Sequence, residues 1–144
     1  MKKVVYIPLL LLAVALMGSC TLENSDNGKL DGFWYLSYVD TLATGCQEDM
    51  RDAGITWSFQ HKLLEVRTAS GGDVFFRFRQ SPDSLVLSEP AKFVGQGMEE
   101  EITDISLLAP LGINQLEEHY RIVSLTSSKM ALHSETLRLY FKKL

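Results

Sequence analysis

The chain has 144 residues, with 14 Lys and Arg against 18 Asp and Glu and a formal charge of −4. That acidity argues against nucleic acid as a partner, because phosphate backbones call for a basic surface. Two cysteines, Cys20 and Cys46, are too few for a disulfide framework, and one domain of this length buries about two-thirds of its unfolded surface without needing a metal.

The first residues read as an export signal. Lys2 and Lys3 give a positive start, residues 4–17 form an uncharged apolar run, and Gly18-Ser19 are small residues directly before Cys20. The run falls short of the roughly 20 apolar residues that cross a bilayer core, so a cleaved leader over residues 1–19 is expected, not a transmembrane helix. The segment Leu16-Met17-Gly18-Ser19-Cys20 resembles a bacterial lipobox. That resemblance implies that Cys20 is the lipidation site and that the protein sits on the bacterial cell envelope, lipid-anchored to the outer membrane on its periplasmic or surface face. Loss of the leader removes Lys2 and Lys3 and takes the charge to −6 over 125 residues. Two acyl chains, at about 0.8 kcal/mol per buried CH₂, make such an anchor effectively stable. Residues 20–30 are polar and rich in Asn, Asp and Gly, the composition of a flexible tether. Glu23 and Asp26 within it resemble the acidic surface-export signals of Bacteroides-type lipoproteins. With Cys20 acylated, Cys46 has no partner in the chain. It lies in Leu42-Ala43-Thr44-Gly45-Cys46-Gln47 with no His or Lys beside it, and is read as a small, semi-buried, unreactive thiol.

From Asp31 onward apolar residues recur at every second position, the period of a half-buried strand. Trp34, Leu36 and Tyr38 share one face of a first strand over residues 33–39. Residues 41–53 break the rhythm: Gln47-Glu48-Asp49-Met50-Arg51-Asp52 followed by Gly54 suits one or two helical turns with a glycine cap. Ile55, Trp57 and Phe59 mark a second strand over residues 54–60, and Leu64 and Val66 a third over residues 62–68. Ser70-Gly71-Gly72 offers the positive-φ residues of a tight hairpin, and the chain returns through Val74, Phe76 and Phe78. Ser81-Pro82-Asp83-Ser84 places Pro where a type I turn uses it, before Leu85 and Leu87 of a fifth strand that Glu89-Pro90 is expected to end. Within residues 99–108, Ile102, Ile105 and Leu108 fit a helix, while Thr103, Ile105 and Leu107 fit a strand. The reading adopted is a strand over residues 101–106 and a helical turn over residues 107–111, ended by Pro110 and Gly112. Three antiparallel strands over residues 120–125, 130–134 and 136–142 close the chain, with Met130, Leu132, Leu139 and Phe141 turned inward.

Eight or nine short antiparallel strands must close or expose an edge. The expected fold is therefore all-β, a small up-and-down barrel of about eight strands with one or two short helices over residues 31–144. A two-sheet sandwich is the alternative, and successive hairpins favour the barrel. Gly32-Phe33-Trp34 resembles the G-x-W motif of lipocalins and their calycin relatives, in which the tryptophan closes one barrel end. The calycin pattern sets an arginine of the last strand over that tryptophan, which implies that Gly32, Trp34 and Arg138 form the barrel closure and that Trp34 and Arg138 touch. Asp31-Gly32-Phe33-Trp34-Tyr35-Leu36, Ile55-Thr56-Trp57-Ser58-Phe59-Gln60-His61-Lys62-Leu63-Leu64, Leu111-Gly112-Ile113-Asn114 and Ser134-Glu135-Thr136-Leu137-Arg138-Leu139-Tyr140-Phe141 together resemble the lipocalin-like lipoproteins of gut Bacteroides-type bacteria.

Candidate chemistry is sparse. His61, His119 and His133 make no i, i+2 or i, i+4 pair, so metal binding would need distant residues to converge. The acidic run Met98-Glu99-Glu100-Glu101 with Asp104 lacks calcium-loop spacing and is read as a solvated face. Arg77 and Arg79 alternate with Phe76 and Phe78 as outward residues of a half-buried strand. No P-loop, G-x-S-x-G or dinucleotide fingerprint occurs. The reading is thus non-enzymatic and without a cofactor. The leading expectation is a membrane-anchored binding module for a small apolar ligand, with Leu36, Trp57, Phe59, Phe76, Phe78 and Met130 as ligand-lining candidates. The alternative is a surface interaction protein with a filled barrel that contacts a protein or glycan.

Overall fold

A computed structural model describes residues 25–144. The leader expected over residues 1–19 and the expected lipidation site Cys20 lie outside the described residues. Ten strands follow one another: β1 (Gly32–Thr41), β2 (Cys46–Asp49), β3 (Thr56–Gln60), β4 (Leu63–Arg67), β5 (Val74–Gln80), β6 (Ser84–Gly95), β7 (Met98–Glu101), β8 (Glu118–Leu125), β9 (Lys129–His133) and β10 (Leu137–Lys143). Eight of them pair in the order β1-β3-β4-β5-β6-β8-β9-β10, and β10 returns to β1. All these pairings are antiparallel, so the chain forms the closed up-and-down barrel expected from its hairpins, and the ring has no free edge.

The two remaining strands extend the long ones. β1 pairs with β3 along residues 32–35 and with β2 along residues 38–41. β6 likewise pairs with β8 along residues 84–87 and with β7 along residues 91–95. Strand direction alternates round the ring, so both extensions reach past the barrel at the same end.

Inside, alternation places one residue in two toward the axis. Trp34, Leu36, Trp57, Phe59, Leu64, Phe76, Phe78, Leu85, Leu87, Tyr120, Met130, Leu132, Leu139 and Phe141 are at most 2% exposed. The Trp57 ring lies 4.9 Å from Phe141, 5.9 Å from Tyr120 and 6.3 Å from Phe59, and Phe59 lies 5.1 Å from Phe78. Each such burial contributes about 1.5–3 kcal/mol. The interior is therefore filled by its own side chains.

Three bulges interrupt the barrel ladders, at Ser37 of β1, at Glu89-Pro90 of β6 and at Val123 of β8, and the first two alter the expected strands. Leu36 faces Phe141 and Tyr38 faces Tyr140, which leaves Ser37 as an extra residue in β1. Past it the faces exchange: Val39 is buried and the half-buried Tyr38 turns outward, correcting the expected Trp34, Leu36, Tyr38 face. In β6, Glu89 and Pro90 together oppose Phe76, with Glu89 at φ 53°. Pro has no N–H to give a ladder but is tolerated at a bulge, so the strand expected to stop at Glu89-Pro90 runs on to Gly95. The Pro90 carbonyl accepts the Ile102 N–H at 2.8 Å.

Three further expectations shift. The helical turns expected over Gln47–Asp52 give way at residues 47–49 to β2 (Cys46–Asp49), because the second half of β1 offers an open edge; the four residues of β2 are all exposed. Only Arg51–Ala53 makes a 3₁₀ turn, and Gly54 caps it at φ 61°, where an added Cβ would lie 2.8 Å from that of Ala69. The strand expected over residues 101–106 lies earlier, as β7, and is followed by 3₁₀ turns at Ile105–Leu107 and Ala109–Leu111. Asp104 starts the first of these turns by accepting the Ser106 N–H at 3.0 Å. The segment expected as tether is partly fold: Gly28–Leu30 forms a 3₁₀ turn, Leu30 is fully buried, and the Asp31 carboxylate accepts from Ser25 Oγ at 2.7 Å and from the Asn27 N–H at 3.0 Å.

Candidate functional site

One end of the barrel is shut. Trp34 lies across it and donates from Nε1 to the Leu30 carbonyl at 2.7 Å. The Lys143 Nζ sits 5.0 Å from the Trp34 ring and donates to the Lys29 carbonyl at 3.0 Å. Gly32 has φ 113°, and a Cβ there would meet the Lys143 side chain at 3.0 Å, so the glycine of G-x-W makes room for the cation that covers the tryptophan. Arg138 does not take that part. Register puts it opposite Asp40, whereas Lys143 is opposite Trp34, and the guanidinium instead lies 5.6 Å from the Tyr140 ring. Five residues of strand separate Arg138 from Lys143, about 16 Å, so the expected contact between Trp34 and Arg138 is not made. The resemblance implies an arginine at this place; the β1–β10 register, counted from the strand ends, points to Lys143.

The other end is plugged and cleft. Leu108, Leu111 and Ile113 turn down into the core and are at most 5% exposed. Tyr120 holds the plug by donating from its hydroxyl to the Gly112 carbonyl at 2.8 Å. Burial, with the nearby Glu118 second, pushes the Tyr120 hydroxyl well above its ordinary value. The buried Glu118 carboxylate accepts the Asn114 N–H at 2.9 Å, and the Asn114 amide reaches Thr136 Oγ1 at 2.9 Å.

Above the plug opens a cleft of about 460 Å³. Its apolar side comes from Val39, Met50, Ile55, Leu111 and Leu137, and its polar side from Thr41, Glu48, Thr68, Ser70 and Asn114. These groups come from β1, β2, the loops after β2 and β4, the plug and β10. Beside it, hydrogen bonds from Arg51 lower the exposed Asp49 carboxyl to about 2, and the Arg51 guanidinium lies 5.4 Å from the Tyr38 ring.

The ligand-lining candidates Leu36, Trp57, Phe59, Phe76, Phe78 and Met130 are thus core residues packed on one another. None of them lines the rim cleft. Among them only Trp57 carries an unmet polar group, an indole N–H with no acceptor among the described residues. The rim is hidden in the sequence because the pattern of residues 47–52 implies a helix, whereas Glu48 lies on β2 and Met50 just after it. The apolar Leu111 and Ile113 flanking Gly112 were the available signal for a loop that turns inward. Cys46 is exposed on β2 and not semi-buried as expected. Among the described residues no three of His, Cys, Asp and Glu gather to hold a metal.

Comparison with known proteins places these features. The profile of the lipocalin-like domain matches residues 14–144. A lipocalin-like protein from Bacteroides uniformis superposes with a TM-score of 0.61 at 17% identity, covering 81% of this chain and 100% of its own. An uncharacterized protein from Bacteroides eggerthii gives 0.61 at 18% identity, covering 80% and 99%. A protein from Burkholderia xenovorans gives 0.53 at 15% identity, covering 79% and 82%. Identities this low carry the fold alone. No curated protein matches the chain.

Proposed function

Given that the chain belongs to the lipocalin-like domain family, we propose that it is a membrane-anchored, non-enzymatic binding module that holds a small, largely apolar ligand at its open rim. The observation that carries this reading is the cleft of about 460 Å³, in which apolar walls and five polar side chains converge above a filled interior. Ligand sites in general combine a concave apolar surface with a few placed polar groups. A filled barrel moves that site from the axis to the rim, where loop residues set the choice of ligand.

The lipobox reading supplies the orientation. An acylated Cys20 in the outer membrane lies five residues before Ser25, which is already fastened to Asp31. Five extended residues span at most about 18 Å, so the shut end faces the bilayer and the rim faces away from it. A second reading, an interaction protein that contacts a protein or glycan, draws on the exposed Phe93, Val94 and Met98 of the β6–β7 hairpin.

Native mass spectrometry of the lipoprotein purified from its own host tests the leading reading. The expected result is a co-purifying small molecule that is lost in Ala53→Trp, whose indole fills the cleft. An apo mass in both forms overturns it. Labelling with palmitate tests the anchor, and label that persists in Cys20→Ala overturns that part.

A further inference from the structure

We infer that the outer wall of the barrel carries a second binding site, on β1, β9 and β10, for an anionic oligosaccharide. It is independent of the rim cleft. A groove of about 440 Å³ crosses this wall, floored by small residues, Ser37, Ser124 and Ala131. Register arranges its lining in rows. The middle row runs Tyr38, Tyr140, Ala131, Ser124 across β1, β10, β9 and β8. On one side of it Lys142 lies opposite Lys129, and on the other lies Arg138; His133, opposite Arg138, and Arg121, which contacts His133 at 3.2 Å, stand beyond the lining.

Three features point to an anionic ligand. In an acidic chain, Arg121, Lys129, Arg138 and Lys142 gather here, and none of them makes an ion pair among the described residues. The carboxylate that faces Arg138, Asp40, is already occupied by the Tyr140 hydroxyl at 2.9 Å and the Gln47 amide at 2.8 Å. Above all, two donors of residues that line the groove, Ser37 Oγ and Arg138 Nε, are buried without a partner among the described residues, and Ser37 is only 3% exposed. An unmet buried donor costs about 1–3 kcal/mol, and an acceptor brought by a ligand relieves it.

The geometry favours a sugar chain over a lone anion. Lys142 and Arg138 stand four residues apart on one strand, about 13 Å, a span that no single phosphate or carboxylate bridges. Between them the edges of the Tyr38 and Tyr140 rings, which lie beside the Arg51 and Arg138 guanidinium groups, and the Gln47 amide offer partners for sugar hydroxyls. The apolar residues of the lining, Met130 and Phe141, are buried, so the groove offers a lipid tail no exposed apolar side chain.

Amide NMR of the isotope-labelled full chain in neutral detergent tests the site with trigalacturonate as probe. The expected response is a set of shifts at Ser37, Ala131 and Tyr140, with affinity falling about tenfold when Lys129→Gln and Lys142→Gln are combined, the weight of one or two charge-assisted bonds. Both lysines are exposed, so that pair keeps the fold, and Arg138→Gln is the stronger companion variant. Equal shifts with maltotriose overturn the proposal, because charge would then play no part. Stronger shifts with hexa-aspartate or with phosphatidylglycerol vesicles, shifts centred on the rim, or no response at about millimolar probe overturn it as well.

Discussion

The two ends of this barrel are closed by different means. At the shut end a single tryptophan lies between a 3₁₀ turn before the first strand and a lysine of the last, and every contact is direct: indole to Leu30 carbonyl, lysine to ring, lysine to Lys29 carbonyl. At the open end a sixteen-residue excursion between β7 and β8 sends down three aliphatic side chains and is held by polar bonds from Tyr120 and Glu118. The first arrangement leaves no room for choice. The second leaves a recess whose walls come from separate loops, so its shape can change without touching the ring.

The sharpest way to break this contrast is to remove the tryptophan. Trp34→Ala is expected to cost about 3–5 kcal/mol in urea unfolding, from lost area, the cavity and the Leu30 bond; a loss below about 1 kcal/mol would show that the shut end is not where closure is secured. Leu111→Ala in the plug should cost less, about 2–3 kcal/mol, the lower part of the range for a buried leucine whose site can collapse, and it should enlarge the recess. If it cost more than Trp34→Ala, the ranking of the two ends would reverse.

Smaller effects sharpen the picture. Tyr120→Phe leaves the Gly112 carbonyl unpaired in the core and should cost about 1–2 kcal/mol. The same variant has a pH signature. Burial raises the Tyr120 hydroxyl above its ordinary 10.0 in the folded chain, so above pH 10 the unfolded chain gives up a proton that the folded one keeps. Stability should fall as pH rises from there, and Tyr120→Phe should flatten that fall in unfolding measurements across pH 9–11. The two buried tryptophans give the finest test. Trp34→Phe loses a hydrogen bond, whereas Trp57→Phe removes a donor that has no partner. The first should therefore cost more than the second by about 1 kcal/mol; equal costs would mean that the Leu30 bond adds nothing net.

Much of the ring was legible as sequence. Trp57 and Phe59, Leu64 and Val66, Val74, Phe76 and Phe78, Leu85 and Leu87 all face inward as their alternation implied, and Gly71 and Gly72 take the positive φ expected of them. What escaped has a common physical cause, the setting of register by distant partners. Ser37 is an extra residue only because β10 lies opposite it. Glu89-Pro90 is a bulge and not an end because β5 continues beside it. Residues 46–49 become strand because β1 is longer than β3 can cover. The site suffered most. The rim recess is assembled from residues between positions 39 and 137, none remarkable alone, and the lysine over Trp34 is identified only by counting pairs across the closing seam. Across that seam the cation over the tryptophan is Lys143 and not the Arg138 that the motif implies.

The pairing of β1 with β10 also sets an order of events. The widest of the other seams pairs Ser84 with Arg121, whereas this one waits for residues 137–143 to meet residues 34–41. Until the final strand has been synthesised, the first has one open flank, and hairpins made meanwhile enclose no finished core. Contacts of such long sequence separation form late and slowly. Under the export proposed above, in which the chain crosses a membrane unfolded, this delay is useful: the barrel cannot close until its last strand is available.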